Sequence, residues 1–341
     1  MATIPSYKAG QRADPGGHKL SSNENPYGPL PSVLDAVVRA ATDMNRYPDP
    51  HSTDLVAALA DQLSRDPAEV VVGCGSVAIC EQVVSAVAGH GDEVIFPWPS
   101  FEAYPIITGV AGATAVAIPL DAGHRQDLVA AAAAVTPATR CIFVCTPNNP
   151  TGTVAKRSEV ELLLASVPHD VLVVIDEAYA EFVDDPDAVD GLELIDRYPN
   201  VAVLRTFSKA YGLAGLRVGY AVAHPQMADA LRKTAIPFGV SVVAHDAAIA
   251  SLAAQEELLE RVAMLRAERH RVHAALRAAD WEIPDSQGNF VWLPTGERTV
   301  EVAGALAGAG IVVRAFPGVG IRATVAESTA NDALIMILTN L

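Results

Sequence analysis

The sequence predicts an α/β protein in which a large, doubly wound, mostly parallel sheet domain is joined to a smaller α+β domain. Three observations predict it. Short β-branched runs alternate with alanine-rich helical stretches from about residue 54 to 245, the pattern of repeated strand–helix units. The runs are continuously apolar, as strands read when helices cover both faces of a parallel sheet. After about residue 245 the texture changes to one long amphipathic stretch followed by short strand signals.

Taken in order, residues 1–40 form a Pro/Gly-rich arm that does not pack alone and contributes to the small domain. Strands are expected at EVVV (69–72), EVIF (93–96), TAVAIPL (114–120), RCIFVC (140–145), DVLVVI (170–175) and NVAVLRTF (200–207). They build the large domain, assigned to 41–245. Leu258, Val262, Leu265, Val272 and Leu276 recur at helical spacing within 256–276. NFVWL (289–293), GIVVRAF (310–316), GIRATV (320–325) and a terminal helix complete a small domain over 246–341.

With 341 residues, half of them hydrophobic, the chain exceeds a typical single domain and can bury a large core. A formal charge of −16 disfavours nucleic acid and anionic membranes, which require basic surfaces. No run approaches the ~18 apolar residues of a membrane helix, and MATIPSYKAG lacks a signal-peptide layout. A cytoplasmic protein is expected. Cys74, Cys80, Cys141 and Cys145 match no common zinc spacing and read as buried free thiols. No H-x-x-x-H pair occurs among nine histidines, so no metal is expected.

Ligands of open α/β sheets bind beyond the carboxyl ends of the strands. Those ends read GCGS, PWPSF, TPNNPTG, DEAYAEF and TFSK. Each has a bland explanation as turn or cap. Together they bring a lysine, a carboxylate, a phenol, an amide, an aromatic ring and glycine-rich amides to one edge. GCGSVA (73–78) also fits a dinucleotide fingerprint, the basis of a rival reading as a nucleotide-binding dehydrogenase. Asp92 and Glu93, however, precede the next strand, whereas a ribose-binding acid belongs at its end.

Pyridoxal phosphate would use all of these groups. Lys209, one of only five lysines, lies among apolar neighbours that favour the neutral amine needed for imine formation. Asp176 suits the ring nitrogen. Tyr179 or Asn149 suits the phenolic oxygen. Gly75, Ser76, Ser208 and Arg217 suit the phosphate, and Phe101 or Trp98 could stack on the ring.

SSNENPYG (21–28), RYPDP (46–50), PNNPTG (147–152), DEAYAEF (176–182), SKAYGLAGLRVGY (208–220) and GIRATV (320–325) resemble the fold-type I pyridoxal-phosphate aminotransferases. The similarity is to the branch holding histidinol-phosphate and aromatic aminotransferases, and the segments span nearly the whole chain. The resemblance implies that Lys209 is the Schiff-base lysine and general base, Asp176 the partner of the ring nitrogen, and Asn149 and Tyr179 those of the phenolic oxygen. Gly75, Ser76, Thr206, Ser208 and Arg217 would surround the phosphate, and Phe101 would stack on the ring. Tyr47 would reach the phosphate of a neighbouring subunit, implying a homodimer with shared sites. Arg322 would grip the substrate carboxylate, with Arg314 and Asn25 also at the substrate.

The implied reaction is ping-pong exchange between an aromatic L-amino acid such as phenylalanine and 2-oxoglutarate. Histidinol phosphate is the alternative substrate. Its enzymes typically carry a tyrosine where this chain has Asn25, and the segment AFPGVGI between Arg314 and Arg322 is short and uncharged.

Overall fold

The structure, a computed structural model, describes residues 4, 6, 7 and 10–341. Strand β1 (His18–Leu20) lies in the N-terminal arm. Seven strands follow: β2 (Val70–Gly73), β3 (Glu93–Trp98), β4 (Thr114–Pro119), β5 (Thr139–Cys145), β6 (Leu172–Asp176), β7 (Val201–Thr206) and β8 (Gly219–Ala223). They form one sheet in the order β2-β8-β7-β6-β5-β3-β4. Strands β9 (Phe290–Leu293), β10 (Ile311–Phe316) and β11 (Gly320–Thr324) join β1 in a second sheet, ordered β1-β10-β11-β9.

The continuous apolar runs are strands covered on both sides. Ile142, Val144, Val173, Ile175 and Val203 enter one core cluster. Their immediate neighbours Cys141, Phe143, Cys145, Val174, Ala202 and Leu204 enter another on the opposite face. This is the period-two alternation of strand side chains, with both faces apolar. Cys80, Cys141 and Cys145 are buried free thiols, and Cys74 is half-buried.

Strand β8 was not anticipated among the apolar runs. It lies antiparallel between β2 and β7, and its Gly219 and alanines carry little β-branched signal. An antiparallel neighbour needs no crossover helix, so residues 207–218 are free to form the loop that carries Lys209 and Arg217.

The helix Gln255–Ala278 belongs to both cores. Leu258, Val262 and Leu265 pack into the larger one; Val272 and Leu276 pack into the smaller, with Leu20, Val291, Ile311 and Ile321. Arg269, buried between these halves, donates to the carbonyls of Phe182 and Gly288 and pairs with Asp184. Its apolar periodicity was legible, but this guanidinium was not. Helix Pro31–Ala40 joins the larger core through Val33. No helix among the described residues is long and apolar enough to cross a membrane.

Candidate active site

The parallel strands deliver their carboxyl ends to a cavity of about 340 Å³, closed on its far side by β10, β11 and the arm. Asp176 ends β6, flanked in register by Cys145 of β5 and Leu204 of β7. Thr206 ends β7, and Ser208 and Lys209 follow immediately. Ser76, Phe101, Asn149, Asp176, Tyr179, Thr206, Ser208, Lys209, Arg217, Arg314 and Arg322 all line this one cavity.

One end is built for an anion. The helix Gly75–Val87 begins there, with Ser76 and Val77 facing the cavity, and its first amides carry the positive end of the helix dipole. Gly75 has φ +80°, and a Cβ on it would stand 2.4 Å from Arg217 Nη2, so only glycine lets the guanidinium lie against this backbone. Arg217 Nη1 donates to Ser208 Oγ at 3.2 Å and to the Ala214 carbonyl at 2.9 Å. Gly219 is required for the same packing: its Cβ would meet Ser76 N at 2.6 Å.

Deeper in, Asp176 is buried, which pushes its pKa up; the Tyr104 hydroxyl and the Ala178 amide oppose that shift. Tyr104 donates to Oδ2 at 2.7 Å, whereas Oδ1 meets no hydrogen-bond partner among the described residues. A buried carboxylate oxygen left bare costs on the order of 1–3 kcal/mol, so this position calls for a donor from a bound group. Phe101 forms part of the wall, edge-on to Tyr104 with centroids 5.5 Å apart. The Tyr179 hydroxyl accepts from Asn23 Nδ2 at 2.9 Å, which leaves its own proton to donate.

Lys209 lies between these groups, half-buried, its Nζ 3.2 Å from the Ser22 carbonyl and 5.7 Å from the Tyr179 ring centre. Loss of hydration lowers its pKa to about 7; Arg322 and Arg217 add to this, and Glu24 opposes it. The amine is therefore readily neutral near physiological pH. Arg322, on β11, donates to Asn149 Oδ1 and to the Ser21 carbonyl. Burial lowers its pKa as well. Arg314 stands directly opposite on β10 and pairs with Glu102.

Asn25 and Tyr47 do not line this cavity. Asn25 was expected at the substrate. Its Nδ2 donates to the Ala210 carbonyl and its Oδ1 accepts from Tyr27 N, so it fastens the arm to the Lys209 loop. Tyr47 is 83% exposed and packs at a tilt against Phe238, with ring centres 4.7 Å apart. Asn149 lines the cavity, but its carboxamide oxygen faces Arg322. Conversely, Tyr104, Asn23 and Glu102 were not foreseen. Tyr104 follows Phe101 at helical spacing, a signal available in PWPSFEAY. Asn23 had only its place in the arm to mark it.

Residues 16–336 match the model of a family described as aminotransferase class I and II. The chain is 56% identical to the aromatic amino acid aminotransferase of Streptomyces coelicolor, over 98% of this chain and 94% of that one. It is 52% identical to the enzyme of the same name from Thermobifida fusca, over 99% and 94%. Among solved structures it resembles histidinol-phosphate aminotransferase from Sinorhizobium meliloti in complex with pyridoxal-5'-phosphate. That likeness has a TM-score of 0.87 and 33% identity, covering 94% of this chain and 89% of that one. The sheet order differs from the dinucleotide reading too, since β2, which leads into GCGSVA, is an edge strand beside antiparallel β8. A family match over nearly the whole length thus coincides with a half-buried lysine, a buried aspartate and an anion cradle at the strand ends, and the chain belongs to the class I and II aminotransferases.

Proposed function

We propose that this enzyme transfers the amino group of an aromatic L-amino acid to 2-oxoglutarate, with pyridoxal phosphate as cofactor. The observation that carries the cofactor is the bare Oδ1 of Asp176, buried in a cavity also lined by Lys209, Ser76 and Arg217. Asp176 would face the ring nitrogen, Tyr179 the phenolic oxygen, and Ser76, Thr206, Ser208 and Arg217 the phosphate. When bound, the cofactor supplies an electron-poor ring that stabilises negative charge at the substrate α-carbon. Lys209 Nζ, whose lowered pKa of about 7 makes the neutral amine accessible, takes the α-proton and later returns it. Arg322 would hold the α-carboxylate, and Phe101 would pack against the cofactor ring.

The aromatic substrate is supported by the relatives' names and by the far wall, where Tyr7, Phe101 and Phe316 line the cavity. A histidinol-phosphate reading has one observation in its favour, the adjacent Arg314 and Arg322. Steady-state kinetics of the holoenzyme decide between them: kcat/KM is expected to be higher for phenylalanine than for histidinol phosphate. Preference for histidinol phosphate by more than about tenfold, or ~1.4 kcal/mol, would transfer the assignment. Asp176→Asn is expected to lower kcat by ~10²–10⁴-fold, in line with the ~3–5 kcal/mol lost when a buried charge pair is broken.

A homodimer in the cytoplasm belongs to the same proposal. Its support is the set of exposed apolar side chains that includes Val38, Met44, Tyr47, Ile236 and Phe238, with Tyr47 packed against Phe238. A monomeric protein with full activity would contradict the shared site.

A further inference from the structure

We infer that Glu102 sets the side-chain specificity of this site by serving as a built-in anion on Arg314. The inference rests on the aminotransferase reading and adds a residue to it. The register of β10 and β11 places Arg314 directly opposite Arg322, and both guanidinium groups line the cavity. Like charges in directly opposed positions repel, and two adjacent guanidinium groups suit a substrate with two anionic ends. Arg322 is met by neutral groups, Asn149 Oδ1 and the Ser21 carbonyl. Arg314 is met by a full negative charge, with Nη2 at 2.5 Å from Glu102 Oε2.

The placement of Glu102 is specific. It occupies the N-cap position of helix Ala103–Val110, yet its side chain makes no capping bond. Instead it reaches across the cavity mouth to a strand of the other sheet. Side-chain exposures of 14% for Arg314 and 31% for Glu102 keep the pair out of the fully solvated regime, where ion pairs contribute almost nothing. The Arg314 guanidinium also lies 5.8 Å from the Phe316 ring centre, so the paired wall offers an uncharged ring apolar and π surface. A ring enters with the pair intact. A distal carboxylate or phosphate, the distal carboxylate of the acceptor 2-oxoglutarate included, must displace Glu102 from Arg314 and binds less tightly by that cost.

Calorimetry on the pyridoxal-phosphate-loaded enzyme tests this with two probes of equal chain length, glutarate and pentanoate. Glu102→Gln, with Glu102→Ala as a second variant should the first fold poorly, is expected to bind glutarate roughly tenfold more tightly, a gain of ~1.4 kcal/mol. Pentanoate affinity is expected to stay within about twofold, and Glu102→Gln/Arg314→Gln should lose the gain. No gain in either variant, an equal gain for pentanoate, or a gain that survives loss of Arg314 would each overturn the inference. Failure of the aminotransferase reading would show separately, as absence of amino exchange between phenylalanine and 2-oxoglutarate in the wild-type protein.

Discussion

Lys209 illustrates how one side chain carries both function and a stability cost. Its folded-state pKa, near 7, lies below the value of an unfolded lysine, about 10.4. Between these values the unfolded chain binds more protons, so stability rises with pH across that window. The penalty is complete below about pH 7 and disappears above the unfolded pKa. Replacing the amine with a neutral chain should therefore stabilise the cofactor-free protein most at the low end. Thermal melts are expected to place Lys209→Met above wild type at pH 7, with the gap closing toward pH 10. A gap that is constant with pH would show that Lys209 is not desolvated in the folded chain. The same variant should show no transamination.

At the scale of elements, two junctions hold the site in shape. Helix Ala103–Val110 presents Tyr104 to Asp176 at 2.7 Å. Tyr104→Phe removes that donor and is expected to destabilise the cofactor-free protein by ~1–2 kcal/mol. Burial already raises the Asp176 pKa, and losing Tyr104 raises it further, so the loss should be larger at high pH than at low pH, where protonation relieves the bare oxygens. Urea titrations at high and low pH check the sign. The strand–helix junction at Gly75 has no room for a Cβ beside Arg217 and holds a positive φ. Gly75→Ala is expected to weaken pyridoxal phosphate binding by roughly tenfold or more, given a backbone cost of ~1–2 kcal/mol; equilibrium dialysis measures it.

At the scale of the whole molecule, Tyr47 tests the assembly. It is exposed and does not line the cavity of its own chain, so the part in a phosphate site proposed for it is one in a second copy. Sedimentation is expected to give twice 35.7 kDa, and Tyr47→Phe to weaken cofactor retention. Mixing Tyr47→Phe with Lys209→Ala then distributes the lesions unevenly in each hybrid: one site carries both and the other carries neither. Activity should follow hybrid-dimer statistics after subunit exchange. Retention in Tyr47→Phe equal to wild type would remove Tyr47 from the site.

By itself the sequence determined the alternating architecture and the chemistry at the strand ends. Both follow from local composition: apolar runs long enough for doubly covered strands, and polar residues placed just past them. Lys209, Asp176, Tyr179, Arg217 and Arg322 were legible because each stands in a distinctive segment. Tertiary structure alone decided what lies between segments distant in the chain. Antiparallel β8 escaped notice because small residues carry weak strand signal when two neighbours bury them. Asn23 meets Tyr179, and Glu102 meets Arg314, across 156 and 212 residues. Asn25 donates to the Ala210 carbonyl across 185 residues, a pairing that the arm's sequence does not reveal. Such pairings depend on how two sheets and an arm close over one cavity, and hydrogen-bond partners and charge partners are fixed only when that closure brings them within 3 Å or so.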